Sequence, residues 1–296
     1  MEEHKMNETY LLKLQEDLKL KNYAKNTCED YYRFVKRFLE FTGKDARSIT
    51  YADIRKFIFF MKDTENKKAS TINLYTAAIR FFFEFTLGYI WDPKKIPKMK
   101  KDRYLPIVLT REEVGMLIDS MDNYKHKAIT ATMYSSGLRV SEVCHLRYED
   151  ISRSKKMIHV SVSKNRQDRY TILSDRNLEI LTEYWYRFGR PRGWLFPSPV
   201  REEPLTTASV ESFIKAHARA LGLPEGVTPH TLRHSFACHA LEDGVSHTFI
   251  QQLLGHRSPK STDVYLQMTS KALMGIRSPY DTFGTSSGSE GGFNGQ

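Results

Sequence analysis

Residues 228–265 carry His230, Arg233, His256 and Tyr265 at spacings that short helices can bring to one spot. These side-chain types suit an anionic phosphate and a covalent nucleophile. A phosphodiester concentrates negative charge on its non-bridging oxygens in the transition state, and arginine forks hold such oxygens through paired hydrogen bonds. A tyrosine hydroxyl can attack phosphorus once its proton is taken and the phosphorus is made electrophilic. Arg139, Arg233, His230, His256 and Tyr265 meet those needs, and Lys164, on a charged turn, can reach in as the acid for the leaving 5′ oxygen. Removing one preorganised charge donor from such a site typically costs about 10²–10³ in rate, so each cation is individually testable.

The elements that must position these groups mix helix and sheet. Thr110 with Glu113 forms a capping box before Val114, Leu117 and Ile118. A helix over 126–136 ends at Gly137, a left-handed cap, and Ser141 is placed to cap the next helix. Residues 157–162 and 170–173 alternate around the polar turn 164–168 and predict a hairpin with Lys164 at its tip. Helices run from Asp175 to about Phe188 and from a Thr207 cap to Leu221, with residues 194–197 as an extended corner holding Trp194 and Phe196 in the core. Pro229 stands at the first position of a helix capped by Thr228. Gly244 and Gly255 break the chain beyond it, and Ser258-Pro259 starts the short helix of Tyr265.

Upstream, the pattern is all helical. Leu11, Leu14 and Leu18 share a helical face over 9–20, and Asn26 or Thr27 can cap a helix bearing Phe34, Val35, Phe38 and Phe41, stopped by Gly43. Thr50 with Asp53 caps a third helix, and Ser70 or Thr71 starts a fourth through Tyr75, Phe82 and Phe85, ended by Gly88. Four helices with short loops predict a bundle, its aromatics following the helical period into the core rather than stacking on bases. Residues 92–108 lose this period and hold two prolines, marking a linker. Its Lys94, Lys95, Lys98, Lys100, Lys101 and Arg103 form either a solvated surface or a strap along a phosphate backbone, and the overall charge favours the strap.

With 296 residues the chain has room for two cores, and 40% hydrophobic residues exclude both disorder and a membrane protein. A formal charge of +10 suggests a polyanionic partner. Cys28, Cys144 and Cys238 are scattered, with no disulfide framework or zinc ribbon, which fits a reducing cytosol. A charged, polar start gives no signal peptide, so a cytoplasmic, nucleoid-associated location is expected. His230 and His234 have a zinc-compatible spacing, but Thr231 stands where a metalloprotease motif needs glutamate, so no metal is expected.

The segment 137–142, the hairpin lysine, His230 with Arg233, residues 254–256 and residues 262–265 together resemble the tyrosine recombinases, the phage integrase family. Order and gaps match over nearly the whole chain. The resemblance implies a mainly α fold with a small antiparallel β-sheet: a SAM-like, core-binding helical domain (1–91), a basic linker (92–108), a mixed α+β catalytic domain (109–281) and a flexible Gly/Ser-rich tail (282–296), closing as a clamp on DNA. It implies Arg139 and Arg233 as the clamp on the scissile phosphate, and His230 as general base or proton-sharing partner. It implies His256 on a non-bridging oxygen, Lys164 as general acid, and Tyr265 forming a 3′-phosphotyrosyl bond. Glu142, one turn after Arg139, is expected to orient that guanidinium. No cofactor, metal or ATP is implied, because the ester retains the energy of the broken bond. Four protomers would exchange strands through a Holliday junction at an inverted-repeat core site, with or without a second recombinase or accessory protein.

There are departures. The hairpin lacks the glycines common beside the lysine, which makes Arg166 a rival acid. Leu266-Gln267 stand where chromosome-dimer (Xer) recombinases commonly have Thr-His, favouring a mobile-element recombinase, and the absence of a preceding arm-binding module favours a simple core-site enzyme. The amphipathic stretch 270–276 either docks into a neighbouring protomer or folds back on its own domain. The rival functions are chromosome or plasmid dimer resolution, a type IB topoisomerase-like relaxing enzyme, and a DNA-binding regulator with a dead site.

Overall fold

Local caps fix most of the helix boundaries in the computed structural model, which describes residues 2–100, 105–161, 168–190, 192–200 and 203–255, with side chains from residue 7. The chain divides into two units, Met1–Tyr104 and Leu105–Gln296.

The first unit holds α1 (Glu2–Leu20), α2 (Lys25–Thr42), α3 (Tyr51–Phe59) and α4 (Ala69–Phe81). The Thr50–Asp53 box forms in both directions, and Gly43 caps α2 at φ +59°. Neither Asn26 nor Thr27 caps α2. That position is Ala24, whose extended backbone starts the helix without a side-chain bond. Likewise α4 starts at Ala69, behind Lys68. Both α3 and α4 end in a wider π-type turn, Phe60–Thr64 and Phe82–Thr86, which the helical period does not reveal. Leu14, Phe38, Ile54, Phe57, Ile79 and Phe82 are fully buried at the centre of this unit. Phe41 and Phe85 are not: each is nearly half exposed and packs at a tilt against a core ring, Phe57 and Phe81 respectively.

The stretch expected as a linker is ordered at its start. Ile96 is buried in the first core, Asn73 exchanges two 3.0 Å hydrogen bonds with the backbone of Met99, and Arg55 donates to the Lys95 carbonyl. At its far end, Ile107 and Val108 pack on the cores of the second unit.

The second unit holds α5 (Arg111–Asp119), α6 (Tyr124–Ser136), α7 (Val140–Cys144), α8 (Asp175–Arg187), α9 (Thr207–Ala220), α10 (Pro229–Glu242) and α11 (His247–Leu254). Its antiparallel sheet runs β1 (Ile151–Ser152), β2 (Met157–Val160), β3 (Arg169–Ile172), with β1 an addition to the expected hairpin. The Thr110–Glu113 box, Pro229 at the start of α10 and the left-handed Gly137 and Gly255 stand as expected. Two caps differ. Thr206 rather than Thr207 caps α9, and Arg139 rather than Ser141 is the N-cap of α7, because Glu142 reaches back to the Arg139 backbone N–H. Phe196 is fully buried, whereas Trp194 is only half-buried under the Arg147 guanidinium. The main core, with Leu109, Leu138, Ile158 and Leu232, is flanked by a smaller cluster of Phe236, Ile250 and Leu254 from α10 and α11. Among the described residues no helix is long and apolar enough to cross a membrane.

Candidate active site

The site begins where α6 stops. Gly137 turns the chain at φ +63°, and a Cβ there would lie 2.5 Å from the Phe236 ring and 2.8 Å from Leu254, so only glycine allows α6, α10 and α11 to close together. Two residues later Arg139 starts α7. The side chain of Glu142 accepts from the Arg139 backbone N–H at 2.8 Å and from its guanidinium Nη1 at 2.7 Å. The contact with the guanidinium is the one expected from the sequence.

Glu142 also gathers two further arginines. Arg169, the first residue of β3, donates from Nη1 and Nη2 to its two oxygens, both at 2.8 Å. Arg233 Nη1 lies 3.8 Å away. One buried carboxylate therefore faces three guanidinium groups. Burial alone would raise the Glu142 pKa. The Arg169 hydrogen bonds and charge, then the Arg139 N–H and charge, outweigh it and push the group down to about 2. At neutral pH the cluster carries a net charge near +2, a match for a phosphate.

Arg233 lies one turn into α10. Its guanidinium donates to the Gly137 carbonyl at 2.7 Å and the Leu254 carbonyl at 2.6 Å, and its side chain is 3% exposed, against 20% for Arg139. Both carbonyls belong to helix ends, whose last C=O groups lack partners within the helix. His230 lies three residues before Arg233 on the exposed side of α10. Partial desolvation, then the Arg233 and Arg139 charges, lower its pKa, although Glu211 opposes this. It is thus neutral near pH 7 and able to accept a proton. His234 is pushed further, to about 4, by burial, His230 and Arg233, and its ring lies 6.4 Å from that of His230. His239 is buried and pairs with the Tyr134 hydroxyl at 2.8 Å.

Arg139, Glu142, His230 and Arg233 are thus brought to one place. Lys164, Arg166, His256 and Tyr265 lie outside the described residues, as do Lys101, Arg103, the stretch 270–276 and the tail 282–296. Lys94, Lys95, Lys98 and Lys100 are all exposed on the first unit, Lys95 over the Tyr51 ring. Among the described residues no group of three or more His, Cys, Asp or Glu could hold a metal ion.

Arg169 is not among the site residues expected from the sequence. A signal was present: in β3, Arg169 shares its face with fully buried Thr171 and pairs with buried Val160, so alternation puts a charge on the core-facing side.

Residues 107–271 match the phage integrase family, and residues 10–92 match the phage integrase N-terminal SAM-like domain. A Sinorhizobium fredii protein named as an integrase/recombinase, y4qK, is 37% identical over 91% of this chain and 87% of its own. The tyrosine recombinase XerA of Pyrococcus furiosus is 34% identical, covering 86% of this chain and 88% of its own. A crystal structure of XerA recombinase aligns with TM-score 0.53 at 27% identity, over 90% of this chain and 96% of that one. A lambda integrase dimer bound to a COC' core site shares the fold, with TM-score 0.72 at 21% identity, over 87% and 94%. The arginine cluster around Glu142 falls inside the matched catalytic segment, and the chain belongs to the phage integrase family of tyrosine recombinases.

Proposed function

We propose that the protein is a site-specific recombinase that cuts and rejoins duplex DNA through a 3′-phosphotyrosyl bond at Tyr265. The observation that carries this reading is the convergence of Arg139 and Arg233 on one buried carboxylate beside a neutral His230. Such a cluster attracts a phosphate by charge and leaves a base available. In the proposed step the Tyr265 oxygen attacks phosphorus as His230 takes or shares its proton. Arg139, Arg233 and His256 hold the non-bridging oxygens, and Lys164 protonates the departing 5′ oxygen. The 5′ hydroxyl of a partner strand then attacks the ester and releases the tyrosine. Glu142 sets the Arg139 guanidinium.

The partner is double-stranded DNA with an inverted-repeat core site, engaged by four protomers that exchange strands through a Holliday junction. Lys94, Lys95, Lys98, Lys100, Lys101 and Arg103 contact its phosphates. The biological role we favour is that of a mobile element, on the strength of Leu266-Gln267.

The test is a nicked suicide substrate carrying the inverted repeat found beside the coding sequence, incubated in EDTA. The expected product is a covalent protein–DNA complex that is absent in Tyr265→Phe. A complex that persists in that variant, or that needs magnesium, refutes the assignment. Relaxation of plasmids lacking the repeat, with no junction product, would instead indicate a type IB topoisomerase-like enzyme.

A further inference from the structure

We propose that Arg169 is a positioning residue of this active site, the brace that fixes Glu142 and the end of α11 so that Arg139 keeps its place. The proposal rests on the assignment of Arg139 and Arg233 as the phosphate clamp.

The carboxylate is shared unequally. Arg169 gives Glu142 a paired fork at 2.8 Å on both oxygens, whereas the Arg139 side chain gives one nitrogen at 2.7 Å. Paired forks are the stronger and more directional arrangement. With Arg169 occupying the carboxylate face-on, Arg139 is held at one corner and retains 20% exposure. Without it, both oxygens become open to Arg139, and the closer pairing draws that guanidinium towards Glu142 and away from a bound phosphate.

The same side chain also reaches α11. Arg169 Nε donates to the Leu253 carbonyl at 2.8 Å, and Arg233 Nη2 donates to the next carbonyl, Leu254, at 2.6 Å. Two arginines thus secure consecutive carbonyls at the negative end of α11, where cations are favoured. The Arg169 side chain also lies against Gly255, where a Cβ would come within 2.9 Å of its Cδ. In sequence, Gly255 immediately precedes His256, and β3 immediately follows the segment that carries Lys164. One side chain thereby ties β3, the first turn of α7 and the end of α11.

The experiment compares Arg169→Lys with wild type. Lysine keeps the charge but presents one nitrogen where arginine presents a fork and an Nε donor. Three quantities are read: the urea midpoint, the dissociation constant for the uncleaved site, and single-turnover covalent-complex formation per folded molecule. The expected result is DNA affinity within about threefold and a cleavage rate lower by about 10²-fold, the scale of a displacement near 1 Å. A second readout does not need cleavage. The His230 ring is titrated by NMR in both proteins, and moving Arg139 towards Glu142 should raise its pKa towards the ordinary imidazole value. Normal cleavage per folded molecule together with an unmoved His230 titration overturns the proposal and leaves Arg169 a structural ion pair. If wild type itself forms no covalent complex, the site assignment fails, and the His230 titration alone then decides whether Arg169 positions Arg139.

Discussion

Replacing Glu142 with glutamine keeps the shape of the side chain and removes its charge. In the wild-type protein, Oε1 accepts from Arg139 Nη1 and Arg169 Nη1, and Oε2 from the Arg139 backbone N–H and Arg169 Nη2. An amide has one acceptor oxygen, so at least two of these four bonds are lost and its NH₂ is turned on N–H donors. Breaking a buried, hydrogen-bonded ion pair by removing one partner costs about 3–5 kcal/mol. The pKa gives an independent figure. A fall from 4.5 to about 2 corresponds to roughly 3 kcal/mol at about 1.4 kcal/mol per pH unit. The two agree, and either is a large share of the ~5–15 kcal/mol that holds a protein folded. The sign follows from the lowered pKa. The stabilisation is complete above about pH 4.5 and is lost as pH falls through the folded value near 2. Urea denaturation of wild type and Glu142→Gln, followed by fluorescence of Trp185 and Trp194 in the second unit, should therefore show a gap of about 3 kcal/mol at pH 7. That gap should shrink by more than half by about pH 3. A gap below about 1 kcal/mol at pH 7, or one that does not shrink with acid, refutes the reasoning.

Gly137→Ala should lower stability by about 2–4 kcal/mol, from left-handed strain plus overlap with Phe236 and Leu254. Gly43→Ala, at φ +59° with nothing within 4 Å, should lose only about 1–2 kcal/mol. Equal losses in urea titrations of the two variants would contradict the role given to packing around Gly137. Burial raises the Cys144 and Cys238 thiols to about 11, while Cys28 is partly exposed. A thiol reagent should therefore label Cys28 in the native protein and the other two only after denaturation, as peptide mapping would show. Rapid native labelling of Cys144 would count against the described core.

What the sequence disclosed depended on range. The Thr50–Asp53 and Thr110–Glu113 boxes, Pro229 and the glycine caps act within three or four residues, so their spacing suffices. Where the backbone alone starts a helix, as at Ala24, no side chain announces it. Ser141 has the residue type of a cap but loses that position because Glu142 bonds to the Arg139 N–H. The π-type turns after α3 and α4 leave no mark in the apolar period of about 3.6 residues, so spacing does not reveal them. In the candidate site, motif order pointed to Arg139, Glu142, His230 and Arg233, which the structure brings together. Arg169 left only a local signal, a charge on the core-facing side of β3, and no motif named its partners 27 and 84 residues away.

The anchoring of residues 92–100 bears on how salt acts on this molecule. Ile96, the Asn73–Met99 pair and the Arg55–Lys95 bond fix the backbone beneath Lys94, Lys95, Lys98 and Lys100 during folding. If those lysines meet phosphates, little chain entropy remains to be lost on contact. The four together would release counterions with a slope of about −3.6 in log K against log salt. Their joint neutralisation should then flatten the salt dependence more than it weakens binding at high salt.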